Sequence, residues 1–447
     1  MRIMIVGAGA VGHHLSERFS AEGHEVVLVD TDQKKLRRLE RDLNVMPVCG
    51  SGASARILEE AGIKETDLFV AVTDSDEVNL ISCIISKSYN VSKRIARVRN
   101  EDFYGENASL NEKALGIDLL ISPDQALSEE IIRLSAMPHA FESAEFADGQ
   151  VVLLGYTIQE GNTSIGKTLI DLKGGLGVVV AIIREEKTII PRGEDLIKSG
   201  DRIYFVVRTS DIAAIEKKIN FTSRIPQKIF IIGGGIIGYR VARMMEAMKL
   251  DVKIVEADPQ RCKFLVENLQ RAVVLNCDGL NGHDLLDEGI DQADLIVAVT
   301  ESDTTNILSS LLAKHHGAKK CMTRISRPDF IPLLGKLGID VALSPRLVAA
   351  NMILSFVRSG ESVVSVSTLV GSDAEVVEIK VPDLEKFQRV PLKDLNFPKL
   401  AVLGAIVRKK KNKVIIPTGT TRIRPDDNLV IFATKGSARS IEDFFAG

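Results

Sequence analysis

The chain has 447 residues, 45% hydrophobic and 26% charged, with a formal net charge of −3; this is a globular profile, and it excludes a general nucleic-acid binder, which carries a basic excess. Its apolar runs, such as Leu68–Thr73 and Leu295–Thr300, are about six residues long, where a membrane-spanning helix needs about 20. Five cysteines with no CxxC pair exclude a disulfide scaffold and a zinc ribbon, and at roughly 150 residues per domain the length allows about three domains.

The first residues read as a strand, Ile3–Val6, running into a glycine turn rather than as a secretory leader, so a cytoplasmic location is expected. A helix over Val11–Glu22 and a strand over Glu25–Val29 follow. Asp32 can cap a helix over Gln33–Leu43, and Val45–Val48 is a third strand. A helix over Ser54–Ala61 stops at Gly62. Leu68–Thr73 is a fourth strand, Glu77–Tyr89 a helix, Arg94–Val98 a fifth strand and Ile117–Ile121 a sixth. Short apolar runs between helical patterns predict a parallel sheet covered on both faces. Ser122-Pro123 opens a helix over Asp124–Leu134 whose apolar residues must bury against their own domain, a second copy or the next unit. That next unit is small, with strands near Val151–Ile158, Val178–Arg184, Lys187–Ile190 and Asp201–Val207.

The whole series then recurs. Gly7-Ala8-Gly9-Ala10-Val11-Gly12 returns 226 residues later as Gly233-Gly234-Gly235-Ile236-Ile237-Gly238, and Asp30 as Glu256. The stretch Asp67–Asp76 returns as Asp294–Asp303, Asn79 as Asn306, Arg97 as Arg324 and Ser122-Pro123 as Ser344-Pro345. In the small unit, Arg184 and Pro191 match Arg408 and Pro417. Two long copies mean duplication rather than a solenoid. The predicted fold is α/β: two Rossmann-like, doubly wound parallel-sheet N-lobes, each followed by a small α+β C-lobe. The expected bounds are 1–124, 140–223, 227–346 and 366–447. Lys409-Lys410-Lys411-Asn412-Lys413 is expected at a hairpin tip, and the main boundary falls in Asn220–Gln227.

A GxGxxG turn between strand and helix suits a pyrophosphate. The first glycine permits the turn, the second lets a phosphate approach the backbone, and the third lets helix and strand pack. The helix N-terminus adds free N–H groups and partial positive charge. Asp30 and Glu256, ending the second strand of each N-lobe, can accept hydrogen bonds from ribose hydroxyls and would repel a 2′-phosphate. NAD(H) or an adenine nucleotide is thus favoured over NADP(H), although Lys34, Lys35 and Arg261 nearby weaken the exclusion. Cys49-Gly50-Ser51-Gly52 and Cys277-Asp278-Gly279 follow the third strand on the adenine side, or are simply small turn residues. Thr73, Asp74, Thr300 and Glu301 end the fourth strands, where the acids could hold a cation between phosphates or sort nucleotides by charge. Asp74 or Asp76 could equally cap the next helix. Arg97 and Arg324, ending the fifth strands, could neutralise a phosphate or form a domain-interface salt bridge. No histidine pairs with Cys or an acid at metal-ligand spacing, and GxSxG, Walker A and HExxH are absent. No catalytic constellation is therefore expected. The alternative, an NAD-dependent oxidoreductase, needs an acid–base group that the small units do not share.

This order of motifs, duplicated along the whole chain, resembles the bacterial Trk potassium-uptake regulatory subunits, the TrkA family, with tandem RCK (or KTN) domains. The resemblance implies a cytoplasmic protein peripheral to the membrane. It implies a homotetrameric gating ring beneath a TrkH-like potassium channel subunit, with NAD(H), ATP or ADP on the N-lobes setting the ring's shape. By similarity the contacts fall on Gly7, Ala8, Gly9, Ala10, Val11, Gly12, Asp30, Ser51, Thr73, Asp74 and Arg97. In the second half they fall on Gly233, Gly235, Ile236, Ile237, Gly238, Glu256, Cys277, Asp278, Thr300, Glu301 and Arg324. It also implies that the helices after Ser122-Pro123 and Ser344-Pro345 are crossover helices. Asp278 has Ser51 as its counterpart, so the two sites would differ in nucleotide preference.

Overall fold

The computed structural model describes residues 1–103, 111–172, 176–185, 187–221, 225–327, 330–358, 363–369, 374–382, 390–398, 400–408, 413–434, 441 and 444–445. The first lobe contains β1 (Arg2–Val6), α1 (Ala10–Ala21), β2 (Glu25–Asp30), α2 (Gln33–Asp42), β3 (Met46–Cys49) and α3 (Ala55–Glu60). It continues with β4 (Leu68–Ala71), α4 (Asp76–Ser88), β5 (Lys93–Arg97), α5 (Glu112–Leu115), β6 (Leu119–Ile121) and then α6 (Pro123–Ser135). Among the described residues its strands form one six-stranded sheet ordered β3-β2-β1-β4-β5-β6. Every pairing is parallel. Ile3–Val6 and the whole of β4 are buried because helices cover both faces. The order reverses between β1 and β4, so the turn after β1 opens at a topological switch point, where open α/β sheets take ligands.

An antiparallel lobe follows: β7 (Ala140–Phe146), β8 (Val151–Thr157), β9 (Gly177–Arg184), β10 (Lys187–Ile189), β11 (Arg202–Arg208) and α7 (Ile212–Lys218). The sheet order is β10-β9-β11-β8-β7. Strand β7 lies outside the strands expected from sequence. It carries acids and few β-branched residues, and its Glu142 is buried because the Tyr204 hydroxyl donates to it at 2.7 Å. The turn at Gly200-Asp201 has a structural reason. Asp201 is fully buried and takes a two-pronged hydrogen bond from Arg184 at 2.7 and 2.8 Å and another from the Lys198 amide at 2.8 Å.

The second half repeats this plan. It has β12 (Lys228–Ile232), α8 (Ile236–Ala247), β13 (Asp251–Glu256), α9 (Pro259–Asn268), β14 (Val273–Asn276), α10 (Gly282–Asp287), β15 (Leu295–Ala298) and α11 (Asp303–His316). β16 (Lys320–Arg324), α12 (Ile331–Lys336), β17 (Val341–Leu343) and α13 (Pro345–Arg358) complete the lobe, with sheet order β14-β13-β12-β15-β16-β17. The last lobe has β18 (Val363–Thr368), β19 (Glu375–Lys380), β20 (Ala401–Arg408), β21 (Lys413–Ile415) and β22 (Asn428–Ala433), ordered β18-β19-β22-β20-β21. Arg408 pairs with Asp427 at 3.2 Å, repeating the Arg184–Asp201 clamp. The two antiparallel sheets share a core that includes Phe146, Val206, Val376 and Phe432. A Cβ at Gly404 would lie 2.7 Å from Val206. The expected lysine hairpin tip at 409–412 and the boundary residues 222–224 lie outside the described residues.

By contacts the chain divides into two units, Met1–Leu127 with Ser344–Phe356, and Ser128–Leu343 with Val357–Gly447. Helix α13 thus belongs with the first lobe, although it follows the last strand of the second. Arg346 reaches His13, and Phe356 lies under the Lys93 ammonium, 5.5 Å from the ring centre. The later part of α6, from Ser128, belongs with the second unit. There Lys320, buried at the start of β16, donates to the carbonyls of Leu134, Met137 and Ala140 at 3.1, 3.0 and 2.9 Å. Helix α13 is therefore covered by the lobe of the other half, and the end of α6 is held by a lysine of the other half.

Candidate nucleotide sites

Gly7 has φ +111°, a conformation side chains rarely adopt, and a Cβ there would lie 2.9 Å from the Thr73 nitrogen. A Cβ on Gly12 would lie 1.8 Å from the Gly7 carbonyl oxygen. The turn's own packing demands both glycines. Gly9 differs: its φ of −72° and ψ of −169° suit any residue, and a Cβ there meets no atom within 4 Å. The second copy is the same. Gly233 has φ +105°, Gly238 would clash with the Gly233 oxygen at 1.9 Å, and Gly235 has nothing within 4 Å. Gly9 and Gly235 are also the N-cap residues of α1 and α8, which therefore lack a side-chain cap. By contrast Asp32, Ser75, Asp258 and Ser302 cap the helices they precede. Ala8 and Val11 are buried and Ala10 is exposed; Ile237 is buried and Ile236 exposed.

Asp30 stands over the turn. Its carboxylate accepts from the Ala8 amide at 2.6 Å and the Asp32 amide at 2.8 Å. Glu256 accepts from Gly234 at 2.8 Å and Asp258 at 2.9 Å. Each oxygen keeps a second lone pair, so a hydroxyl can still be accepted. Arg261 joins the second turn by donating from Nε to the Gly234 carbonyl at 2.6 Å.

At the ends of the third strands, Ser51 Oγ accepts from the Ala53 amide at 3.3 Å and Asp278 Oδ1 from the Leu280 amide at 2.9 Å. The two side chains hold the same turn, and the difference left between them is one negative charge. Cys49 ends β3 rather than following it. Cys277 is half-buried, and burial together with Asp284, Glu288 and Asp278 raises its thiol pKa.

Asp74 and Asp76 do not cap α4; Ser75 does, accepting from the Val78 amide at 3.2 Å. Asp76 instead accepts from the amides of Arg99 and Asn100, both at 2.9 Å. Asp74 pairs with Arg97 at 3.1 Å and Arg99 at 3.5 Å. Arg97 therefore makes a pair inside its own lobe. Burial and the neighbouring Arg99 draw its pKa down. Arg324 donates to the Thr300 carbonyl at 2.5 Å, and Glu301 is exposed. The Nε of both Arg97 and Arg324 is buried without a hydrogen-bond partner among the described residues.

Two residues that the repeat matched without a role hold these edges together. Asn79, fully buried, accepts from the Thr73 amide and hydroxyl at 2.9 and 2.7 Å. It donates to the carbonyls of Thr73 and Arg97 at 3.0 and 2.9 Å. Asn306 makes the same four bonds to Thr300 and Arg324. An asparagine amide has the two acceptor and two donor positions this requires. Its recurrence at the repeat offset was the available signal.

Tandem α/β lobes with glycine turns at their switch points, each followed by a small antiparallel lobe, define a duplicated Rossmann-like architecture. The TrkA-N domain matches residues 3–123 and 229–345, and the TrkA-C domain residues 153–220 and 376–446. The chain belongs to the TrkA family. It is 35% identical to Trk system potassium uptake protein TrkA homolog 1 of Methanosarcina mazei, over 100% of both chains. It is 34% identical to the TrkA homolog of Archaeoglobus fulgidus, again over 100% of both. Among solved structures it is similar in fold to the GsuK channel bound to NAD, with a TM-score of 0.63 and 20% identity, over 100% of this chain and 79% of that chain. These relatives are named as potassium uptake and channel proteins, not as enzymes. No described helix is long and apolar enough to cross a membrane.

Proposed function

We propose that this chain is a nucleotide-sensing regulator of Trk-type potassium uptake. NAD(H), ATP or ADP would bind at both glycine turns. There Asp30 and Glu256 take the ribose hydroxyls, the first turns of α1 and α8 take the phosphates, and Arg97 and Arg324 add charge from the fifth strands. The observation that carries this reading is the middle glycine. Gly9 and Gly235 answer no demand of backbone or packing, and a bare backbone at an uncapped helix end is what a phosphate requires. Family membership and the NAD named with GsuK support it. The partner would be a TrkH-like membrane channel subunit, and the assembly a tetrameric ring on the cytoplasmic side. Bound nucleotide acts only if it prefers one shape of that assembly.

Titration calorimetry with NADH, NAD, ATP and ADP on the full chain tests this. Two nucleotides per chain are expected, falling to one in Gly9→Val or Gly235→Val. Absence of binding at millimolar concentration would remove the mechanism. Equal channel activity with all of these ligands at saturation would remove the sensing.

A further inference from the structure

We propose that Arg346, carried on α13 from the second half of the chain, is a phosphate-binding residue of the first nucleotide site and biases that site toward ATP and ADP over NAD(H). The inference rests on the nucleotide reading above. Arg346 lies 333 residues from His13, yet its Nη2 is 3.4 Å from His13 Nδ1. Arginine can only donate, so His13 accepts through Nδ1 as a neutral ring. His13 is one turn into α1, its amide donating to the Gly9 carbonyl at 2.9 Å. The guanidinium is thus delivered to the end of α1 that follows the first glycine turn.

The arginine sits on a docked helix. Ala349, Ala350, Ile353 and Leu354 bury one side of α13, and Phe356 is held under Lys93 at its far end. Electrostatics agree with the geometry. Burial and then Arg346 lower the pKa of His13, and the same two causes push His14 down to about 4. His14 is neutral at pH 7, and His13 is pushed toward its neutral form. Glu17 and Asp42 face His13 with negative charge, while Arg38 adds to Arg346 there and Arg18 adds to it beside His14.

The glycine stretch Gly7–Gly12 carries no cation of its own, and the charge Arg97 adds is already partly offset by Asp74. Arg346 offers a planar fork suited to phosphate oxygens. The feature is particular to this site. In the repeat, Asp124 stands where Arg346 does, and Tyr239 and Arg240 stand for His13 and His14. ATP and ADP carry more phosphate charge than a dinucleotide, so a cation added here favours them.

The test uses the full chain with Gly235→Val closing the second site, titrated with ATP and with NADH. Arg346→Met should weaken ATP binding about tenfold or more, as expected for loss of a charge-assisted bond, and NADH binding by less than about threefold. Arg346→Lys should recover part of the ATP preference. Equal weakening of both nucleotides would show that the arginine only secures α13, and no change in either would show that it touches no phosphate; each overturns the proposal. If neither nucleotide binds before Arg346 is changed, the nucleotide reading itself fails and this proposal with it.

Discussion

A methyl group at Gly12 would sit 1.8 Å from a carbonyl oxygen, while one at Gly9 would meet nothing. Gly12→Ala should therefore destabilise the first lobe by about 3 kcal/mol or more, since the opposing atom is backbone. Gly9→Val should cost clearly less, about 1 kcal/mol for a poorer N-cap residue, and still abolish nucleotide binding at the first site. Denaturant melts read beside calorimetry separate the two effects. Asn79→Ala removes four hydrogen bonds at a fully buried position, and the orphaned groups should cost about 2–4 kcal/mol; a melt within 0.5 kcal/mol of wild type would mean that water replaces the amide. The glycines and Asp30 were legible in the sequence because their chemistry follows from spacing to a strand and a helix. Asn79 was not, because an asparagine inside a helix announces nothing until the carbonyls it bridges are in place. Arg346 was not, because its neighbour is far away in the chain.

Among the elements, the strands and helices of the two N-lobes were readable from apolar runs and caps. The cap of α4 differed, Ser75 rather than Asp74 or Asp76, and the short helix α5 was not read. Strand β7 was hidden because its buried acid is tolerated through Tyr204, a partner that periodicity does not see. The end of α6 supplies a pH-dependent prediction. Burial draws Lys320 down from 10.5 to about 7, while Asp340 and Glu216 oppose the shift. The folded chain then releases this proton more readily than the unfolded chain, so the unfolded state binds more protons between these values and stability rises with pH. Relative to Lys320→Met, the wild type should gain stability from pH 7 to 9, by at most about 1.4 kcal/mol per pH unit. A difference that stays flat with pH would mean that the three carbonyls keep the ammonium at its ordinary value.

For the whole molecule, duplication was plain in the sequence, whereas the exchange of α6 and α13 was not: repeats show which elements exist, not which lobe each one covers. The exchange sets what a half can be. A first half ending near residue 221 keeps the lobe that α13 covers but lacks α13. Its own α6 would also lose Lys320, which in the full chain bonds the carbonyls of Leu134, Met137 and Ala140. Such a fragment should pair with a second copy by trading helices, or aggregate; sedimentation showing a stable monomer would contradict this. Joining the halves makes that trade internal, so that it no longer depends on concentration. The link between them is thus a permanent handshake, and a cell that makes this chain dilutely still makes it whole.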